Sequence, residues 1–107
     1  MFAQKNRFSF RKGVPKKTFS NSFLFLRYEE NTAPSLECAV VVGKKVDTRA
    51  VARNSVKRML VSIIKELIKE DAQYRLVFYA KKSILAMSRE EVKEQLRSTL
   101  NSIGIIK

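Results

Sequence analysis

Apolar residues change their spacing several times along this chain, and each change marks an element. From 19 to 28, FSNSFLFLRY, they alternate, with Phe19, Phe23 and Phe25 on one side and Leu24, Leu26 and Tyr28 on the other. That pattern predicts a strand with contacts on both faces. The polar EENTAPS at 29 to 35 carries the Asn, Pro and Ser of a hairpin loop. Leu36 to Val42 reads as a second strand, apolar on both sides near its end as a covered sheet requires. After Gly43 the period lengthens, and Ala52, Val56, Met59, Leu60, Ile63 and Leu67 fall on one arc of a helix running to about Lys69. YRLVFYA at 74 to 80 predicts a third strand. The last helix has both ends written into it. Ser88 and Glu91 form a capping box, Met87 and Val92 a hydrophobic staple, and Gly104 stands at the C′ position behind a stripe of Val92, Leu96, Leu100 and Ile103. Residues 1 to 18, broken by Gly13 and Pro15, leave room for a short helix or an irregular arm before Gly13. The order β β α β α predicts an α+β fold, with helices packed on one small sheet.

Charge changes the picture next. The 107 residues suffice for one domain, 1–107, and carry 22 Lys and Arg against 10 Asp and Glu, a net charge of +12. Residues 1 to 28 contain no acid at all. Such a field favours nucleic acid as partner. A membrane surface fits less well, since the apolar faces are needed for a core and no run approaches the ~18 residues of a span. MFAQKNRFSF lacks the apolar core of a secretory signal, and the aromatic residues of the basic N-terminus run on into a strand rather than a cleavable transit segment. A cytoplasmic location is therefore expected. Cys38, the single cysteine, stands in an apolar strand and reads as a small core residue.

The stretch RAVARNSVKR at 49 to 58 concentrates that charge. Arg53, Lys57, Asn54, Arg58, Lys65 and Lys69 occupy the helical arc beside the apolar one. With Asp47 or Thr48 as N-cap, Arg49 and Arg53 lie in the first turns, where the helix dipole disfavours cations by a few tenths of a kcal/mol unless an anion is near. A phosphate would reverse that sign, drawing on the free N–H groups of the helix start and on the forked guanidinium donors. The plainer alternative is a solvated charged face.

Candidate catalytic chemistry is sparse. The chain has no His, its three glycines are isolated, and its one dense acidic cluster, Glu90, Glu91 and Glu94, occupies a first helical turn where the dipole stabilises acids anyway. No intrinsic active site and no protein-borne metal site are expected.

At this point AVARNSVKRML, preceded by GKKV at 43 to 46, resembles the signature of the protein subunit of bacterial ribonuclease P, a Lys-Lys pair after a strand followed by an RN-x-x-KR helix. FRKG at 10 to 13, the strand at 23 to 28, VFYAKK at 77 to 82 and SREEVKEQL at 88 to 96 occur in the family's order. The resemblance implies a ribosomal-protein-S5-domain-2-like fold with a left-handed βαβ crossover around the basic helix. It implies the protein component of an endoribonuclease that removes the 5′ leader of precursor tRNA, the chemistry carried by a catalytic RNA subunit with Mg2+ held mainly by RNA and substrate. By similarity, Lys44, Lys45, Arg49, Arg53, Asn54, Lys57 and Arg58 would contact the RNA subunit. Phe10, Arg11, Lys12 and Phe23 would bind the single-stranded leader, where rings stack on unpaired bases. The bland reading of Phe10, Phe23 and Phe25 is core.

Three departures accompany the match. Ser55 stands where a second Arg is usual, Asn6 stands one turn before Phe10 where an aromatic is usual, and Leu26 is placed where a ring commonly faces the cleft. Charge and periodicity alone leave open a ribosomal or RNA-chaperone protein binding rRNA with the same fold, and the motif order favours ribonuclease P. An autonomous nuclease would need activity without RNA.

Overall fold

The computed structural model describes residues 6–9, 13–32 and 35–106. Four strands, β1 (Lys17–Ser20), β2 (Leu24–Glu30), β3 (Glu37–Val41) and β4 (Tyr74–Ala80), form one sheet in the order β1-β2-β4-β3. β2 runs antiparallel to β1 and β4, while β3 is parallel to β4. Helix α1 (Ala50–Leu67) connects the parallel pair, giving a βαβ unit, and α2 (Arg89–Ser102) follows a 3-10 turn at Lys82–Ala86. This is the expected α+β arrangement on a small mixed sheet.

Two expectations about the strands need correction. The alternating stretch 19 to 28 is not one strand, because Asn21 breaks it. Its Oδ1 accepts the N–H groups of Phe23 and Leu24 at 3.0 and 2.8 Å, and its own N–H donates to the Leu24 carbonyl at 2.9 Å. A short polar side chain thus supplies a turn where periodicity showed only a polar strand position. Residues 29 to 35 are also not a hairpin loop, since β4 inserts between β2 and β3. Period-2 patterning identifies strands but carries no information about which are neighbours.

The core lies between one sheet face and the two helices. Leu24 and Leu26 of β2, Cys38 and Val40 of β3, and Leu76 and Phe78 of β4 meet Val56, Leu60, Ile63 and Ile64 of α1 and Val92, Leu96 and Leu100 of α2. Each of the larger side chains stabilises the fold by about 1.5–3 kcal/mol through removal from water. Burial also drives the Cys38 thiol well above the usual thiol range, so it remains a protonated core group, as its strand context predicted. The α2 capping box is present in both directions, with Ser88 Oγ accepting the Glu91 N–H at 3.2 Å and Glu91 Oε1 accepting the Ser88 N–H at 3.1 Å. Gly104 adopts φ +83° beyond the helix end, and the Ile105 N–H donates to the Leu100 carbonyl, a C-terminal closure that needs the left-handed conformation.

Candidate nucleic-acid interface

Two surfaces carry the chemistry, one at the start of α1 and one on the sheet face turned away from the helices. At the first, the chain leaves β3 through a turn closed by the Val46 N–H donating to the Gly43 carbonyl at 3.0 Å. Val46 is buried, so the turn is pinned from below and Lys44 and Lys45 project outward, both exposed. Helix α1 then begins with Arg49, not Asp47 or Thr48, as N-cap, and no side chain caps its first N–H groups. Asp47 has a different task. Its Oδ1 accepts the Arg49 N–H at 2.9 Å, and its two oxygens hold the Arg49 guanidinium at 3.2 and 2.9 Å. This pairing pulls the Asp47 pKa down to about 2 and raises that of Arg49. Part of the cation misplacement at the helix start is therefore answered from within the chain, although Arg49 remains 77% exposed.

Arg53 is half-buried, because its Nη1 donates to the carbonyls of Asp47 and Thr48 at 3.1 and 2.9 Å and so braces the approach to the helix. Asn54, Lys57 and Arg58 are exposed, and among the described residues no carboxylate lies within ion-pair distance of Lys44, Lys45, Lys57 or Arg58. Between 43 and 58 six cations face one acid, Asp47. The turn thus carries Lys44 and Lys45, and the start of α1 carries Arg49, Arg53, Asn54, Lys57 and Arg58, all exposed except the half-buried Arg53. The exposed Val51, 82% accessible, sits among them. Ser55 is exposed on the same helix and adds no charge. Further along α1, Glu66 bonds Lys93 and Arg89 of α2, which holds its carboxyl below the usual range and spends those two cations internally.

On the second surface, register aligns side chains in rows across the sheet. Ser20, Phe25, Tyr79 and Val41 form one row, Thr18, Arg27, Val77 and Ala39 the next, and Glu29, Arg75 and Glu37 the third. The Phe25 and Tyr79 rings lie 5.7 Å apart at 45°, and the Arg27 guanidinium sits 5.4 Å over the Phe25 ring. Phe25 and Tyr79 are partly exposed and Val41 is exposed, so this row offers aromatic faces to a ligand.

Phe23, expected among the leader-contacting residues, is fully buried in the helix-side core. The Asn21 turn directs the Phe23 side chain inward, so it has no ring face to offer an unpaired base. Leu26 likewise faces the core and not the open sheet face. Its neighbours Phe25 and Arg27 take the outward positions. Tyr79, within the VFYAKK motif, was missed because a strand apolar on both faces does not reveal which side is covered. Phe10, Arg11 and Lys12 lie outside the described residues. Among the described residues no group of three or more His, Cys, Asp or Glu could hold a metal ion. Glu29 and Glu37 flank Arg75 and are paired with it, so the side chains described do not fit a protein cage for Mg2+. Among the described residues no helix is long and apolar enough to cross a membrane.

A family model described as Ribonuclease P matches residues 3–104. The chain is 32% identical over 102 residues to the ribonuclease P protein component of Mycoplasma capricolum, covering 94% of this chain and 87% of that one. It is 35% identical over 97 residues to the component of Bacillus cereus strain Q1, covering 90% and 82%. Among solved structures, RNase P protein from Thermotoga maritima superposes with a TM-score of 0.70 at 21% identity, covering 88% of this chain and 94% of that one. The Staphylococcus aureus RNase P protein gives 0.72 at 17% identity, covering 91% and 87%. At those identities the structural likeness speaks for the fold alone.

Proposed function

Because the chain belongs to the ribonuclease P protein family, we propose that it serves in the cytoplasm as the RNA-binding subunit of a ribonucleoprotein that matures the 5′ end of tRNA. The observation that carries this reading is the α1 surface. Six cations are gathered there by a pinned turn and one helix face, and all but Arg49 lack an ion-pair partner among the described residues. Lys44, Lys45, Arg49, Arg53, Asn54, Lys57 and Arg58 contact the catalytic RNA. The uncapped N–H groups of Ala50, Val51 and Ala52 add donors for a phosphate at the helix start. The single-stranded leader of precursor tRNA lies on the open sheet face, with unpaired bases stacked on Phe25 and Tyr79 and a phosphate near Arg27. Phe10, Arg11 and Lys12 belong to the same leader contact by resemblance.

In this reading the RNA performs the cleavage and Mg2+ is held by RNA and substrate. The protein binds, orients and neutralises phosphate repulsion between two polyanions. Purified protein alone should leave precursor tRNA intact, and adding it to the RNA subunit should lower the Mg2+ concentration needed for cleavage. Magnesium-dependent cleavage by protein freed of contaminating RNA would overturn the assignment. Copurification with rRNA in place of a ribonuclease P RNA would favour the ribosomal alternative.

A further inference from the structure

Arg75 lies on the face of β4 opposite the core, yet it is only 8% exposed. Its Nη1 bonds Glu29 on β2, and its Nε stands 3.7 Å from Glu37 Oε1 on β3, so it lies between carboxylates of both neighbouring strands. The rest of the guanidinium points away from the sheet. Nη2 donates to the carbonyls of Ser9 and Gly13 at 3.2 and 3.0 Å, and the Phe8 ring packs over Cζ at 4.6 Å. A buried ion cluster of this kind is seldom more stable than apolar side chains of equal volume. What a planar fork achieves here is to bond Glu29 on β2 through one nitrogen, stand within ion-pair range of Glu37 on β3, and still give two bonds through another nitrogen to the chain segment crossing above. Val77, one row along on the same face, is fully buried although it lies outside the helix-side cluster, so that face is covered at its centre. The row of Phe25, Tyr79 and Val41 beyond it stays accessible.

We propose that Arg75 is a positioning residue that fastens the N-terminal segment across the sheet and thereby sets where the accessible aromatic row ends. The role in RNA binding rests on the function proposed above, while the clamp itself does not. Asn6 provides a second anchor on the other side, its Nδ2 donating to the carbonyls of Leu36 and Glu70 at 2.7 and 3.1 Å. Between the two anchors Arg7 pairs with Cys38 along the edge of β3. The segment is thus held from below at Arg75 and from the side at Asn6.

The test uses R75K in the full chain, which keeps a compensating cation beside the two carboxylates but lacks the second nitrogen that reaches the Ser9 and Gly13 carbonyls while the first holds Glu29. A second variant, R75Q/E29Q/E37Q, removes the buried charge altogether should the first fold poorly. Tryptic cleavage after Arg7 should accelerate by about tenfold while amide protection in β2 and β4 is retained, the mark of local rather than global opening. In the reconstituted holoenzyme, the preference for precursor over mature tRNA should fall by about fivefold, within the range a lost base stack accounts for. Affinity for the RNA subunit should stay near wild type.

Cleavage after Arg7 at the wild-type rate in a folded variant would overturn the clamp. Release of the segment with an unchanged precursor preference would overturn the positioning role. Equal loss for precursor and mature tRNA would mark Arg75 as merely structural. If wild-type holoenzyme shows no precursor preference, the proposed function fails and the Arg7 cleavage rate still decides the clamp.

Discussion

At the residue scale, the cations of α1 divide into those that serve the helix and those that face outward. Lys57 touches nothing charged in the described structure, so K57A should weaken binding to the RNA subunit by roughly 1–3 kcal/mol and flatten its salt dependence by nearly one unit, without altering thermal stability. Arg53 also braces two backbone carbonyls. R53A should therefore show the same binding loss plus a stability loss of about 1 kcal/mol, and equal stabilities in a denaturant titration would contradict the bracing role. Asp47 offers a direct electrostatic check. Its pKa is depressed below the ordinary 3.8 to about 2 by Arg49, so its stabilising contribution is present above about pH 4 and lost as pH falls through about 2. The carboxyl carbon resonance should titrate near 2 in the wild type and move back toward 3.8 in R49A.

Elements decide which aromatic residues are available. β2 turns Leu24 and Leu26 inward and Phe25 and Arg27 outward, while the preceding turn buries Phe23. F23A should cost about 3–5 kcal/mol as a cavity in a packed core. F25L and Y79L keep apolar volume on a partly exposed row, so their stability should change little. Their holoenzymes should lose affinity for leader-bearing precursor, at about 1–3 kcal/mol per lost stack, and keep affinity for mature tRNA. An equal loss for both substrates, in folded variants, would remove Phe25 and Tyr79 from the interface. The α2 cap gives an independent control: S88A should cost about 1 kcal/mol and leave RNA binding unchanged.

For the whole molecule, the distribution of charge matters more than its sum. Acids are spent internally, Glu29 and Glu37 on Arg75, Glu66 on Arg89 and Lys93, and Glu94 on Arg97. Apart from Arg49, which Asp47 holds, the cations from 44 to 58 are left to shape the outer field. One core cluster joins both helices to the sheet, so the protein should unfold in a single cooperative transition. The buried Cys38 thiol reports on it. Its alkylation should proceed only at the rate set by global opening and rise with denaturant along the unfolding curve. Fast labelling under native conditions would reveal a separate opening of β3.

The residue pattern by itself determined the kinds of element, the capped α2, the Val56, Leu60 and Ile63 stripe of α1 and the cationic arc of Arg53, Asn54, Lys57 and Arg58 beside it. All of these depend on spacing within one helix or on adjoining residues, where local geometry sets which side chains share a face. Only the tertiary structure decided the neighbours in the sheet, the inward turn of Phe23, the outward row of Phe25 and Tyr79 and the joining of Glu29, Glu37 and Arg75. Those depend on a side-chain turn at Asn21 and on β4 entering between β2 and β3, and the pairing partner of a strand is set by long-range packing that no local period encodes.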